Sequence, residues 1–288
     1  MSNSNKKVQI LSFFGIFALF LYYDNNKGNF MQNQRFDRIF ITGDQHGSID
    51  NILYLDSKEY LSENDLIVSL GDFGVPYWSA SKKTKNDLET FELFDKIHTN
   101  YAIIQGNHSK RFERVKWFRQ EKFCEGNSFY FPKYRNFHFL QNGEVYNFND
   151  MSFLVIGGGY SVDKYIRLQK GWTWEPEEKL NDEEKSKIRN LISANGKYNF
   201  VLSHVAPLEL QPTWLFLSFV DQSTVETDEE EFLSEVREKI DYQGWFFGHY
   251  HGDYKVGEKE FLLYNEYIEI KNNQIIGLKK LMQNPNDC

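Results

Sequence analysis

Six short apolar runs, RIFIT, LIVSL, YAIIQ, FLVIG, FVLSH and WFFG, recur between Arg38 and Gly248. Runs so short and so uniformly apolar predict strands buried on both faces rather than on one. Amphipathic segments lie between them: Leu88, Phe91, Phe94 and Ile97 repeat at helical spacing, as do Ile49, Ile52, Leu53 and Tyr60 less regularly. Buried strands alternating with covering helices make an α/β fold. The stretch TDEE, Thr227 to Glu230, reads as a capping box opening a further helix. The run EPEEKLNDEEKSKIRN interleaves both charge signs and reads as a solvated helix face without a function. After Trp245 the pattern becomes extended, in DYKVG, KEFLLYN and YIEIKNNQIIGL, with Gly and Asn-Asn punctuation that predicts hairpins and a second sheet.

What ends each strand carries the functional information. RIFIT runs into Gly43-Asp44-Gln45-His46-Gly47, LIVSL into Gly71-Asp72, and YAIIQ into Gly106-Asn107-His108. FVLS ends at His204, and WFF ends at Gly248-His249-Tyr250-His251. Five strands therefore deliver metal-type ligands to one end, the carboxyl edge at which α/β sheets bind their ligands. Of the seven histidines, only His98 and His138 lie outside this set, and both are read as structural.

In this order the motifs GDQHG, GDFG, GNHS, LSH and GHYH resemble the signature of the calcineurin-like metallophosphoesterases, over nearly all of Arg38 to His251. The resemblance implies a four-layer α/β/β/α sandwich, two packed mixed β-sheets flanked by helices. It implies that Asp44, His46 and His251 hold one metal ion, that Asn107, His204 and His249 hold another, and that Asp72 bridges them. His108 would point at the substrate as general acid. The implied activity is dinuclear metal-dependent hydrolysis of a phosphomonoester or phosphodiester by activated hydroxide. Two cations ~3.5–4 Å apart suit that task, because they neutralise developing charge and lower the pKa of water. The mixed imidazole, carboxylate and amide set suits Mn(II), with Fe, Zn, Co or Ni as alternatives. A nucleotide-directed phosphodiesterase or nuclease is the alternative enzyme, and a noncatalytic metal-binding scaffold the alternative from another class.

The chain departs from the family pattern in two places. Many relatives place an acidic residue after the motif histidine, where this chain has Ser109. The phosphoprotein phosphatases follow Gly-Asp with a short spacer and an Arg-Gly pair, which GDFGVPYWSA lacks. A replacement cation is expected from VIGGGYSVDKYIRLQKGW, which offers Asp163, Lys164 and Arg167 and resembles a bacterial group with a similar Tyr-Ser-Val-Asp-Lys-Tyr stretch. Asn107, Lys164 and Arg167 are thus the candidates for contacting substrate; the competing reading is a loop packed on Trp172 and Trp174. Pro76, Tyr77 and Trp78 offer an aromatic wall.

A net charge of −8 gives no basic footprint for nucleic acid; the expected partner, a small phosphorylated substrate, is what the resemblance implies. The two cysteines, Cys124 and Cys288, are too few for a disulfide framework or a Cys-based zinc site, and fit a reducing compartment. Val8 to Tyr23 follows Lys6 and Lys7 as a signal or anchor would, but falls short of the ~20 residues that span a bilayer. Met31 then reads as the working start of a cytoplasmic protein, with membrane anchoring through Val8–Tyr23 as the alternative. The expected organisation is an extension over 1–34, one phosphoesterase domain over 35–278 and a tail over 279–288. Nothing in the sequence sets the oligomeric state.

Overall fold

The computed structural model describes residues 34–77, 84–172, 174–277 and 281–283. The segment Val8–Tyr23, Met31, Trp78 and Cys288 lie outside them. No helix among the described residues is long and apolar enough to cross a membrane.

Three parallel strands, β1 (Ile39–Thr42), β2 (Leu66–Ser69) and β3 (Asn100–Ile103), form the centre of the first sheet. Its outer strands on one side are β4 (Arg119–Phe123), β5 (Gly126–Phe131) and β6 (Tyr134–Leu140). The second sheet is built on β7 (Glu144–Phe148), β8 (Met151–Ile156), β9 (Phe200–Ser203) and β10 (Gly244–Phe247). The later strands are β11 (Tyr254–Lys255), β12 (Glu260–Leu262), β13 (Tyr267–Lys271), β14 (Gln274–Ile276) and β15 (Met282–Gln283). The strand orders are β14-β13-β1-β2-β3-β6-β5-β4 and β15-β11-β12-β10-β9-β8-β7, and both sheets are mixed.

Side-chain alternation then fixes the layers. Ile39 and Ile41 of β1, Leu66 and Val68 of β2 and Ala102 of β3 meet Phe153, Val155, Phe200, Leu202 and Phe246 between the sheets. The alternate residues Phe40, Ile67, Tyr101 and Ile103 face outward onto α1 (Asp50–Glu59) and α2 (Thr84–Phe94), through Ile52, Leu55, Phe91 and Phe94. A short helix, α3 (Lys164–Lys170), follows β8. On the other side Leu154, Val201, Trp245 and Phe247 face α4 (Asp182–Ala194) and α5 (Asp228–Lys239), through Ile188, Ile192, Phe232, Leu233 and Val236. This is the four-layer α/β/β/α sandwich expected. Each fully buried aliphatic or aromatic side chain contributes about 1.5–3 kcal/mol, so the strands under the site are held on both faces.

Several local expectations need correction. The segments after Trp245 form no sheet of their own: β11, β12 and β15 extend the second sheet, while β13 and β14 pair onto the first beside β1. The Asn272-Asn273 hairpin does form, with both residues in the left-handed region that a two-residue turn requires. Strand β15 lies beyond Leu278 and pairs with β11. On α1 it is Leu55, not Leu53 or Tyr60, that joins Ile52 in the core; Leu53 is exposed and Tyr60 forms the left-handed C-cap. Thr227 makes no capping box, because its backbone (ψ 9°) is already turned away from the extended capping conformation and its hydroxyl reaches Glu231 instead. The capping box belongs to Asn181 and Glu184 at the start of α4. The strands β4 to β7 have no counterpart in the apolar-run analysis: β5 and β7 alternate buried with less buried residues, β4 is polar up to Phe123, and Arg135, Asn136 and His138 interrupt β6. Of the two histidines read as structural, His138 is buried, bonded to Glu121 and stacked on Phe123, while His98 is exposed.

Candidate metal centre

The register aligns the strand ends. Thr42 pairs with Ser69 and Ser69 with Ile103, so β1, β2 and β3 stop level with one another, and β9 and β10 do the same in the second sheet. The loops leaving these five strands bring Asp44, His46, Asp72, Asn107, His108, His204, His249 and His251 into one cluster. The backbone turns there are tight. A Cβ on Gly106 would lie 2.1 Å from Asp72 Oδ1, and one on Gly248 would lie 2.3 Å from Asp44 Oδ1, so only glycine allows the carboxylates this approach. His46, Asp72, His249 and His251 all take positive φ, a conformation that non-glycine residues hold mainly where the surroundings force it.

Two groups of ligand atoms emerge. In the first, His46 Nε2 and His251 Nε2 lie 2.9 Å apart, at 3.7 and 3.4 Å from Asp44 Oδ2. That oxygen is buried and has no hydrogen-bond partner among the described residues. In the second, His204 Nε2 lies 2.8 Å and His249 Nδ1 3.1 Å from Asn107 Oδ1, with Asp72 Oδ2 3.7 Å from His204 Nε2. His204 Nδ1 lies 2.7 Å from the Leu70 carbonyl, which turns Nε2 toward the cluster; ligation through Nε2 requires the tautomer with the proton on Nδ1, and that carbonyl is placed to accept it. Lone pairs that converge at about 3 Å repel one another unless a cation sits among them, and that spacing is the edge expected for ligands about 2.1 Å from one ion. The residues present therefore fit divalent cations. Asp44 is common to the two carboxylate-containing groups, Asp44–His46–His251 and Asp44–Asp72–His204.

Electrostatics prepares the ligands. Burial pushes the Asp44 and Asp72 carboxyls up, but the surrounding histidines outweigh it and hold both below the usual carboxylate range. Burial pushes His249 down to about 3, so its ring is neutral. His251 is pushed up by its contact with Asp44. Ionised carboxylates and a neutral buried imidazole are the forms that bind metal.

Other residues, several of them unforeseen, hold the ligands in place. Asn107 Nδ2 donates to Ser161 Oγ (2.8 Å), and Ser161 Oγ donates to Glu178 Oε2 (2.6 Å), which also accepts from Trp174 Nε1 (2.9 Å). This chain turns the Asn107 amide so that its oxygen faces His204 and His249. Glu178 falls within the run read as a solvated face. It is instead buried, because the segment before Asn181 is not helical and folds back over the site. No periodicity marks such a residue in the sequence. Asp253 accepts from the backbone N–H groups of Tyr264, Asn265 and Glu266, and Tyr264 stacks on His251. Ser161→Ala should weaken metal binding about 10- to 100-fold, the usual effect of losing a residue that orients a ligand. Titration of the metal-free protein with Mn(II) measures it, and unchanged affinity would remove the Ser161 relay from the site.

The substrate candidates separate. Arg167 Nε donates to both carboxylate oxygens of Asp163 (2.8 and 2.7 Å), Nη1 to Tyr77 Oη (2.9 Å), and Nη2 lies 3.0 Å from His108 Nε2. His108 Nε2 is 3.8 Å from Asp72 Oδ2, and the His108 backbone N–H donates to Asp72 Oδ1 (2.9 Å). Burial, with Arg167 nearby, pushes the His108 ring down despite Asp72. Arg167, His108, Tyr77, His46 and Asp72 line one cleft of about 470 Å³. Tyr77 thus both lines the cleft and holds Arg167. Lys164 is not brought to it: its ammonium lies over the Trp174 ring, 4.5 Å from the centroid. Trp172 is exposed, so α3 does not serve to bury it.

Among solved structures, the chain is similar to TT1561 of Thermus thermophilus, at 12% identity and a TM-score of 0.46, covering 83% of this chain and 96% of that one. It is also similar to the sulfate thiohydrolase SoxB of Thermus thermophilus in complex with glycerol, at 11% identity and a TM-score of 0.30, covering 81% of this chain and 41% of that one. No curated protein matches significantly. The sequence model for calcineurin-like phosphoesterases matches residues 37–253, which span every residue of the cluster. With that match over more than half its length, the chain belongs to the calcineurin-like phosphoesterase family, whose members are metal-dependent phosphoesterase hydrolases.

Proposed function

We propose that this protein is a dinuclear phosphoesterase in which Asp44, His46 and His251 hold one Mn(II) ion, Asn107, His204 and His249 hold the second, and Asp72 bridges them. The observation that carries this reading is the Arg167–His108 pair at the mouth of the ligand cluster, a guanidinium and an imidazole where a phosphoryl group would sit. When bound, two divalent cations supply charge neutralisation at the phosphoryl oxygens and water of lowered pKa.

The chain's own residues do the rest. Asp163 and Tyr77 fix the Arg167 guanidinium from behind, so its Nη2 side is presented to the cleft already oriented. A phosphate oxygen arriving there competes with His108 for Nη2. Once Arg167 grips the phosphate, His108 Nε2 is released from that contact and can hold a proton for the leaving oxygen.

The test is hydrolysis of p-nitrophenyl monoester and diester substrates by protein loaded with Mn(II), compared with Arg167→Ala and Arg167→Lys. Wild type should turn over one or both esters only with metal. Losing one charge-assisted contact costs about 1.5–3 kcal/mol, so Arg167→Ala should lower kcat/KM roughly 10- to 150-fold at normal metal content. The lysine variant should recover only part, since a point charge lacks the fork. Unchanged kcat/KM with a lowered Tm would make Arg167 a packing residue. Absence of metal-dependent hydrolysis of either ester would overturn the reading.

A further inference from the structure

A second cavity, of about 550 Å³, opens from the same cluster, and its chemistry differs from that of the Arg167 cleft. Asp72 and His108 line both cavities, so a phosphoryl group held between them faces two openings. The wall of the Arg167 cleft is mixed: His46, Tyr77, Glu89 and Thr90 stand beside Leu93 and two glycines. The second cavity is walled by Leu215, Phe216, Leu217, Val220 and Val225, all from the connection between β9 and α5. This wall is anchored: Phe216 stacks on Tyr250, between the two histidines of the final motif, and Trp214 packs edge-on against Tyr254. Leu217 nevertheless stays 46% exposed beside the catalytic cluster, an apolar surface with nothing of the described chain over it.

The rest of the wall is largely polar, with Asp163, Gln211, Gln222, Thr227 and Glu230 among its side chains. Glu230 is buried, and its Oε1 accepts from Gln211 Nε2 (3.2 Å), while Oε2 has no hydrogen-bond partner among the described residues.

We propose that the substrate is a phosphodiester with two unlike ester groups: an apolar organic group seated in the Leu215–Val225 chamber, and a small polar group in the Arg167 cleft. This rests on the phosphoesterase reading and narrows it. A monoester has a single organic group and would leave one opening without an occupant. In the hydrolysis, the water oxygen bonds to phosphorus and one P–O ester bond breaks. The ester oxygen leaves with a proton as the alcohol, and the other ester group stays on the phosphate.

The experiment uses the full chain loaded with Mn(II) and a matched series of methyl alkyl phosphates, with ethyl, butyl and octyl groups, followed by phosphorus NMR beside octyl phosphate itself. Burial of a methylene favours binding up to about fourfold, so kcat/KM for the octyl diester should exceed that for the ethyl diester by at least about 30-fold. It should also exceed that for octyl phosphate. Replacing the exposed Leu217 and the half-exposed Val220 together, by Leu217→Gln and Val220→Gln, should collapse the octyl-to-ethyl ratio toward one with Tm unchanged. A ratio near one in wild type, or one that the double variant leaves intact, would overturn the chamber. Preference for octyl phosphate would overturn the diester. If no ester is hydrolysed with metal present, the phosphoesterase reading falls with it, a result distinct from a flat series.

Discussion

Asp72→Asn should yield a folded protein of near-normal Tm that binds little metal and has lost about 10³-fold or more in turnover, since bound cations supply several kcal/mol of transition-state stabilisation. The fold should survive because the substitution suits the backbone. Asp72 sits at φ +42°, a region that asparagine tolerates well. The asparagine Oδ1 can still accept the His108 backbone N–H. What disappears is the negative charge. Asp72 is buried among His204, His108 and His46, and that charge is the one the proposed bridge places between two cations. Elemental analysis of the purified variant beside a hydrolysis assay measures both effects; full metal occupancy with normal turnover would remove Asp72 from the bridging role.

His108→Asn should separate chemistry from binding. The backbone N–H at this position still donates to Asp72, so metal content should remain that of wild type. Loss of a general acid typically costs 10²–10⁴-fold, and that loss should fall mainly on esters with alkyl leaving groups. A nitrophenolate departs as a stable anion, whereas an alkoxide needs the proton that asparagine cannot supply. Comparing the kcat loss on the two ester types decides the matter. Equal losses would mean that His108 positions the phosphate, which its contact with Arg167 also permits.

The sequence carried the strand ends well and their surroundings poorly. β1, β2, β3, β9 and β10 are legible because strands buried on both faces leave uninterrupted apolar runs, and the residues after them are glycines and ligands with few other reasons to recur. Strands β4 to β7 escape that signal, since polar residues fill β4 up to Phe123 and interrupt the apolar ones elsewhere, as Asn127 does in β5 and Asn136 in β6. The Ser161–Glu178–Trp174 relay escapes for another reason: its members are tied by tertiary contacts between irregular segments, where no spacing rule applies. Lys164 and Arg167 show the limit in the other direction. Three residues apart on one short helix, they go to different places, one to Trp174 and one to His108.

The ligand cluster is divided between the two sheets: the first sheet carries Asp44, His46, Asp72 and Asn107, and the second carries His204, His249 and His251. Hydrogen bonds cross the gap within the cluster, from the His249 backbone N–H to Asp44 Oδ1 (3.0 Å) and from His204 Nδ1 to the Leu70 carbonyl (2.7 Å), and elsewhere, as from the Asn147 N–H to the Cys124 carbonyl (2.8 Å) and the Gly158 N–H to the Gln105 carbonyl (2.8 Å). Catalytic activity is thereby a gauge of alignment between the two slabs. A catalytic constellation tolerates about 0.5 Å of displacement, far less than a repacked interior can absorb. Volume-altering changes at remote interlayer positions such as Phe153 or Phe200 would then register as lost turnover before they register in circular dichroism.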